Sequence, residues 1–172
     1  MCKCHTAVYR PSAGDPPRQC AGFTLLELMI AVTILVILTG IGVPSFSNFV
    51  ASQRTIAAAG GFQMALWRTR SEAIRLNRDV TLSPTDADIG WESGWVANDP
   101  SDDDHALIHG DALDGVTISG GPASIIYRAS GRLRGSSIAG IEFASKTTSS
   151  ADKRCIGVDL SGQPTLMRTG CP

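Results

Sequence analysis

Glu27 is the residue of this chain whose chemistry most needs a partner. It is the one ionisable group in the apolar stretch FTLLELMIAVTILVILTGIGV that runs from Phe23 to Val43. A carboxylate in an apolar medium is costly unless it is neutralised or paired. One helical turn separates it from Phe23, and Gly22 stands just ahead of that residue. A second reactive pair, Cys155 and Cys171, lies near the far end of the chain. In an oxidising compartment the two would close a loop worth about 3 kcal/mol in the chain-entropy picture. The alternative is two free thiols.

Other candidates carry less chemistry. His105 and His109 flank a short apolar stretch, and no serine lies in a Gly-x-Ser-x-Gly context, so a hydrolase is not indicated. Asp99, Asp102, Asp103 and Asp104 offer the oxygen ligands that calcium takes, but EF-hand spacing is missing and the run is expected to be a solvated loop. No other metal ligand set or cofactor motif emerges. Trp67, Trp91 and Trp95 are expected as core or sheet-covering aromatics.

The elements that position these residues follow from composition. The chain has 172 residues, 43% hydrophobic and 18% charged, which argues against both a disordered chain and a multispanning membrane protein. The Phe23–Val43 stretch matches the roughly 20 apolar residues that cross a bilayer. Lys3, Arg10 and Arg18 precede it against Asp15 alone. The positive-inside bias therefore puts the N-terminus in the cytoplasm and the remainder outside. Beyond residue 22 the balance is near −3, with 12 basic and 15 acidic residues, which disfavours a purely electrostatic nucleic-acid binder.

From Ser45 to Asn77 the pattern is helical, with Ala59, Phe62, Leu66, Ala73 and Leu76 on one face that would cover a sheet. Arg68, Glu72 and Arg75 form a solvated, mutually paired face. Gly60 and Gly61 are expected to weaken or kink the helix. After Asn77 short runs alternate with Gly, Pro, Ser and Asp. Strands are expected at 80–83, 94–97, 106–109, 116–119, 124–128, 138–144, 155–160 and 165–168. A helix followed only by strands indicates an α+β fold.

An ordinary secretory signal has a shorter apolar run with its cleavage site behind it. Here Gly22-Phe23-Thr24-Leu25-Leu26-Glu27-Leu28 resembles the processing motif of type IV prepilins and type II secretion pseudopilins. The resemblance implies cleavage between Gly22 and Phe23 by a prepilin peptidase, N-methylation of Phe23, and pairing of Glu27 with the Phe23 amino group of a neighbouring subunit. It also implies a helix that loosens or bends at Gly40, Gly42 and Pro44, where proline removes a helix hydrogen bond. The leader of residues 1–22 would be removed, making Cys2, Cys4 and His5 a poor place for a metal. With Pro11, Pro16 and Pro17, it is longer than the short basic leaders typical of the family. The expected organisation is then a leader over 1–22, a transmembrane half-helix over 23–43, a soluble amphipathic half-helix over 44–78 and a β-rich periplasmic domain over 79–172.

The later pieces sharpen the likeness. Arg68–Asn77 followed by Val80-Thr81-Leu82, then Trp91, Gly94-Trp95-Val96, Ser130-Gly131-Arg132 and Cys155-Ile156, is similar to the protein H/FimT-type minor pseudopilins. That family implies a long helix packed on one or two small antiparallel sheets and a structural, non-enzymatic subunit without cofactors. It implies partners that are other pilins, the peptidase and an inner-membrane assembly platform, in either a secretion pseudopilus or a type IV pilus. Some members resemble calcium binders. Others resemble DNA receptors with a basic Gly-Arg-x-Arg segment near the C-terminus. Here that location reads Ser161-Gly162-Gln163-Pro164-Thr165, while Gly131-Arg132-Leu133-Arg134 occurs earlier. DNA binding would need Arg132 and Arg134 to join Lys153, Arg154 or Arg168 in one patch.

Overall fold

The computed structural model describes residues 23–149 and 151–171, with the backbone alone for 41–44, 103 and 104. The leader, Gly22, Cys2, Cys4, His5 and Cys20 lie outside the described residues. Two compact units are resolved, one up to Gly40 and one from Ile41 onward.

Helix α1 runs from Leu25 to Leu76. Its end has a local cause: Asn77 takes φ 52°, the left-handed conformation that asparagine tolerates. The Asn77 N–H donates to the Ile74 carbonyl at 3.3 Å and Arg78 N–H to Ala73 at 3.2 Å, the Schellman pattern that satisfies the last carbonyls. The helical backbone continues through Gly40, Gly42 and Pro44. It also continues through Gly60 and Gly61. A Cβ at Gly60 would meet open space. Gly60→Ala should therefore raise stability by about 1 kcal/mol, read from the urea midpoint of the full chain in detergent. A lower midpoint would show that the helix needs glycine at this position.

Among the described residues eight strands follow: β1 (Val80–Pro84), β2 (Trp95–Asp99), β3 (Asp102–Gly110), β4 (Val116–Gly120), β5 (Ile125–Tyr127), β6 (Ile138–Ser145), β7 (Arg154–Val158) and β8 (Pro164–Met167). They form two four-stranded sheets, β3-β2-β1-β5 and β4-β6-β7-β8. All pairings are antiparallel. Each strand falls on an expected run. Asp102–Asp104 is the correction: the expected loop is the start of β3, paired to β2 through Asp99 and Asp102, because backbone pairing in a hairpin outweighs the low strand preference of aspartate. A short 3-10 helix at Gly90–Ser93 interrupts the β-rich region.

Beyond Ile41, α1 buries Thr55, Ala58, Ala59, Phe62, Ala65, Leu66, Thr69 and Ala73. Small side chains let the sheets approach the helix, and the two threonine hydroxyls donate to the carbonyls of Ala51 and Ala65 four residues back. Phe62 is fully buried at the centre. Its ring lies 5.1 Å from both Trp91 and Trp95, edge-on, and 5.6 Å from Phe143 of β6. One side chain of the helix thus touches both sheets. Trp67 departs from expectation: it is exposed on the helix, with the Arg70 guanidinium 5.7 Å from its ring. Of the charged trio, Glu72 and Arg75 pair, while Arg68 is exposed without an ion pair among the described residues.

Glu92 ties the 3-10 helix to the second sheet. Its carboxylate accepts from Lys146 Nζ at 2.6 Å and from the Ile118 N–H at 3.1 Å. The Lys146 hydrogen bond, opposed by burial and aided by Ile118, lowers its pKa. A lowered carboxylate pKa contributes stability that is present above the unfolded value, near about 4.3, and lost as pH falls through the folded one. Unfolding midpoints measured from pH 6 down to 3 should fall, and Glu92→Gln should flatten part of that slope. An unchanged slope would remove Glu92 as a contributor.

Candidate functional site

The first turn of α1 is built around Thr24 and Glu27. Thr24 Oγ1 accepts from the Glu27 N–H at 3.2 Å, making Thr24 the N-cap. The Thr-x-x-Glu spacing is a capping-box signature that was legible in the sequence and went unread there. The Glu27 carboxylate makes no hydrogen bond or ion pair among the described residues. It sits in the first turn, where the helix dipole favours negative charge.

Around it every side chain from Phe23 to Gly40 is exposed, including Phe23 at 80% and Leu25 at 76%. The most apolar 18-residue window of α1 has mean hydropathy 2.4 and none of it is buried. By length and composition this segment is sufficient to cross a bilayer. Thr33 and Thr39 donate their hydroxyls to the carbonyls of Met29 and Val36, at 2.7 and 2.9 Å. No polar backbone or hydroxyl partner from outside the segment is required for them. Among the described residues of this segment, the Glu27 carboxylate is the charged group left to be matched.

At the other end, Cys155 of β7 and Cys171 are disulfide-bonded, with Cα atoms 5.0 Å apart. The Cys171 N–H donates to Glu142 Oε2 at 3.1 Å, and Lys153 Nζ lies 3.0 Å from Oε1 of the same carboxylate. These bonds, the Lys153 one foremost, hold the Glu142 pKa below its ordinary value against a smaller opposing effect of burial. Gly140 is packed against the disulfide so closely that a Cβ there would collide with both sulfurs.

The arginine turn is exposed. Arg128 N–H donates to the Arg132 carbonyl and Arg134 N–H to Ile126, with Leu133 buried between the two arginines. Arg134 pairs with Asp79 at 3.3 Å, Lys153 with Glu142 and Arg154 with Asp152 at 3.6 Å. The cations proposed for one patch are thus mostly matched locally. A different neighbour was invisible in the sequence. Arg70 of α1 donates from Nε to the Gly131 carbonyl at 2.9 Å and from a terminal nitrogen to Ser161 at 3.4 Å. Gly162, at φ 82°, packs on the Gly131 carbonyl and the Tyr127 ring with no room for a side chain. The turn carrying Arg132 therefore lies against the turn at Ser161-Gly162. The Tyr127 hydroxyl beneath them is buried, without a hydrogen-bond partner among the described residues.

Comparison with known proteins decides the family. A model described as type II transport protein GspH matches residues 58–162, more than half of the chain. The chain belongs to the GspH family. A second model, the prokaryotic N-terminal methylation motif, matches residues 17–43 of this GspH-family chain. The fold is similar to the type IV minor pilin FimU of Pseudomonas aeruginosa PAO1, with TM-score 0.58, 17% identity, and coverage of 69% of this chain and 92% of that one. It is also similar to the minor pseudopilin EpsH from the type 2 secretion system of Vibrio cholerae, with TM-score 0.50, 16% identity, and coverage of 67% and 97%. At these identities the likeness shows the fold, a long N-terminal helix followed by a small antiparallel β domain. Curated fimbrial proteins of Pseudomonas aeruginosa are 32% identical over 76 residues, 44% of this chain and 48% of theirs. The chain spans about half the length of the curated relatives it matches.

Proposed function

We propose that this chain is a minor pilin or pseudopilin, a structural subunit that enters a fibre through its N-terminal helix and catalyses no reaction. The observation that carries this reading is the exposed apolar helix with one capped carboxylate, Glu27, that has no partner among the described residues. The peptidase cuts after Gly22, and Phe23 becomes a methylated N-terminus in the bacterial inner membrane. The β-rich part lies in the periplasm. Glu27 pairs with the Phe23 amino group of a neighbouring subunit, which supplies register, while apolar helix packing supplies most of the affinity. A bend at Gly40, Gly42 and Pro44 lets the helix adapt to the fibre.

Glu27→Ala should leave the processed protein at normal level in the membrane and reduce its recovery in sheared fibres by at least about tenfold, the loss of roughly one favourable charge pair. Undiminished incorporation would remove the pairing. The machine is chosen by phenotype: loss of exoprotein release after deletion assigns a secretion pseudopilus, and loss of surface fibres a type IV pilus.

The adjacency of the Arg132 turn to the Gly162 turn favours one second reading, DNA binding on a transformation pilus. A gel shift with the full chain in detergent that is abolished by Arg132→Ala with Arg134→Ala would support it. No shift with the native chain would discard it.

A further inference from the structure

A cleft of ≈ 460 Å³ separates β5, an edge strand of the first sheet, from the start of β6 in the second. Ile126, Leu133, Arg134, Ser136, Ile138 and Gly140 are among its lining residues. Its walls are polypeptide edges. The pairing of β4 with β6 ends at Gly120 and Ile141, so Ile138 and Ala139 run past the end of β4. On the other wall, the outer side of β5 carries the Tyr127–Leu133 bridge and one bond, from Arg134 N–H to the Ile126 carbonyl. Among the described residues, 135–137 have neither backbone nor side-chain hydrogen bonds.

We propose that this cleft takes an extended, acidic segment of another protein as an added strand between the two sheets. Backbone donors and acceptors of 135–139, with those of β5 that the Leu133–Arg134 pairing leaves open, would give affinity, and the apolar side chains of Ile126 and Ile138 would select alternate residues of the incoming strand. Charge sets the sign of the partner. Arg134 opens onto the cleft and its pair with Asp79 is half-exposed, the kind of surface pair a second carboxylate displaces at little expense. Arg132 stands two residues away, exposed and without an ion pair among the described residues. A nucleic acid fits less well: among the described residues one cation lines the cleft, and phosphates have no use for open backbone groups and an apolar lining. This site is separate from the helix that carries assembly in the proposed function.

The test uses the isotope-labelled full chain in detergent micelles, titrated with three ten-residue synthetic peptides. One alternates valine or threonine with glutamate, one replaces glutamate by lysine, and one carries prolines that prevent strand pairing. The acidic peptide should shift amide resonances of 124–126 and 135–139 saturably. The lysine and proline peptides should bind at least about tenfold more weakly, as should the acidic peptide to Arg132→Glu with Arg134→Glu, a double variant of exposed residues. Three results would overturn the proposal: no saturable shift in those segments, equal binding of the proline peptide, or stronger perturbation of the same amides by a single-stranded oligonucleotide than by the acidic peptide. A rise in sedimenting mass without peptide, lost in the arginine double variant, would instead make a second copy the occupant and overturn the assignment to another protein.

Discussion

Phe62→Ala is expected to destabilise the unit beyond Ile41 by about 3–5 kcal/mol, the range for removing a fully buried aromatic ring. The position of Phe62 explains why the loss should lie at the top of that range. Its ring contacts Trp91 of the 3-10 helix, Trp95 of the first sheet and Phe143 of the second, groups on three different elements that cannot all move inward to fill the space. The neighbouring helix residues Ala58, Ala59 and Ala65 offer no longer side chain to replace it. A small domain has only about 5–15 kcal/mol in all, so the variant would sit near the limit of folding. Urea unfolding of the full chain in detergent, followed by tryptophan fluorescence, reads this directly. Phe62→Leu keeps most of the volume and should lose only about 1 kcal/mol or slightly more. A loss below about 1 kcal/mol for the alanine variant would mean that the sheets close over the gap, and that the Phe62 ring does not hold them apart.

The sequence displayed the helix face well because Phe62, Leu66 and Ala73 recur at helical spacing and the helix must cover something. It displayed all eight strands because glycine, proline and aspartate punctuate them. It did not display their division into two sheets. The pairing of β5 with β1 and of β4 with β6 depends on segments distant along the chain, and strand alternation is equally compatible with several orders. Charge misled at Asp102–Asp104, where the hairpin overrode composition. Aromatic content misled at Trp67, which lies on the helix face opposite the packed one and stacks with Arg70. In the functional region, the expense of Glu27 was legible from its apolar surroundings, whereas the packing of Gly131 on Gly162 required the folded chain.

A helix apolar on one side near its end and on every side near its beginning has two separate tasks. Beyond Ile41 its buried face completes a hydrophobic core formed with residues of both sheets. Before that, nothing among the described residues covers Leu25 to Leu38, and the carboxylate among them has no partner among those residues. Under the proposed function, stability of the domain and readiness to assemble are set by different residues. Phe62→Ala should reduce the amount of folded protein, whereas Glu27→Ala should change its destination.

Removal of the Cys155–Cys171 disulfide should lower stability by about 3 kcal/mol, the entropy released when a loop of this length is opened in the unfolded chain. Cys155 is fully buried, so the cleaner variant is Cys155→Ala with Cys171→Ala, which leaves no buried hydroxyl or lone thiol. The folded chain end keeps a second tether after the disulfide is gone, the bonds of Glu142 to the Cys171 N–H and to Lys153. If that tether holds residues 169–171 in place, the loss remains near the loop-closure value, because the folded state is unchanged and only the unfolded state gains freedom. If the segment detaches, the Glu142 contacts are lost too, and the deficit should exceed about 4 kcal/mol, beyond loop closure alone. Adding Glu142→Gln separates the cases. In the disulfide-free background it should cause further loss only where the chain end stays docked, and a coupling of about zero between the two changes would show that the carboxylate and the disulfide act independently.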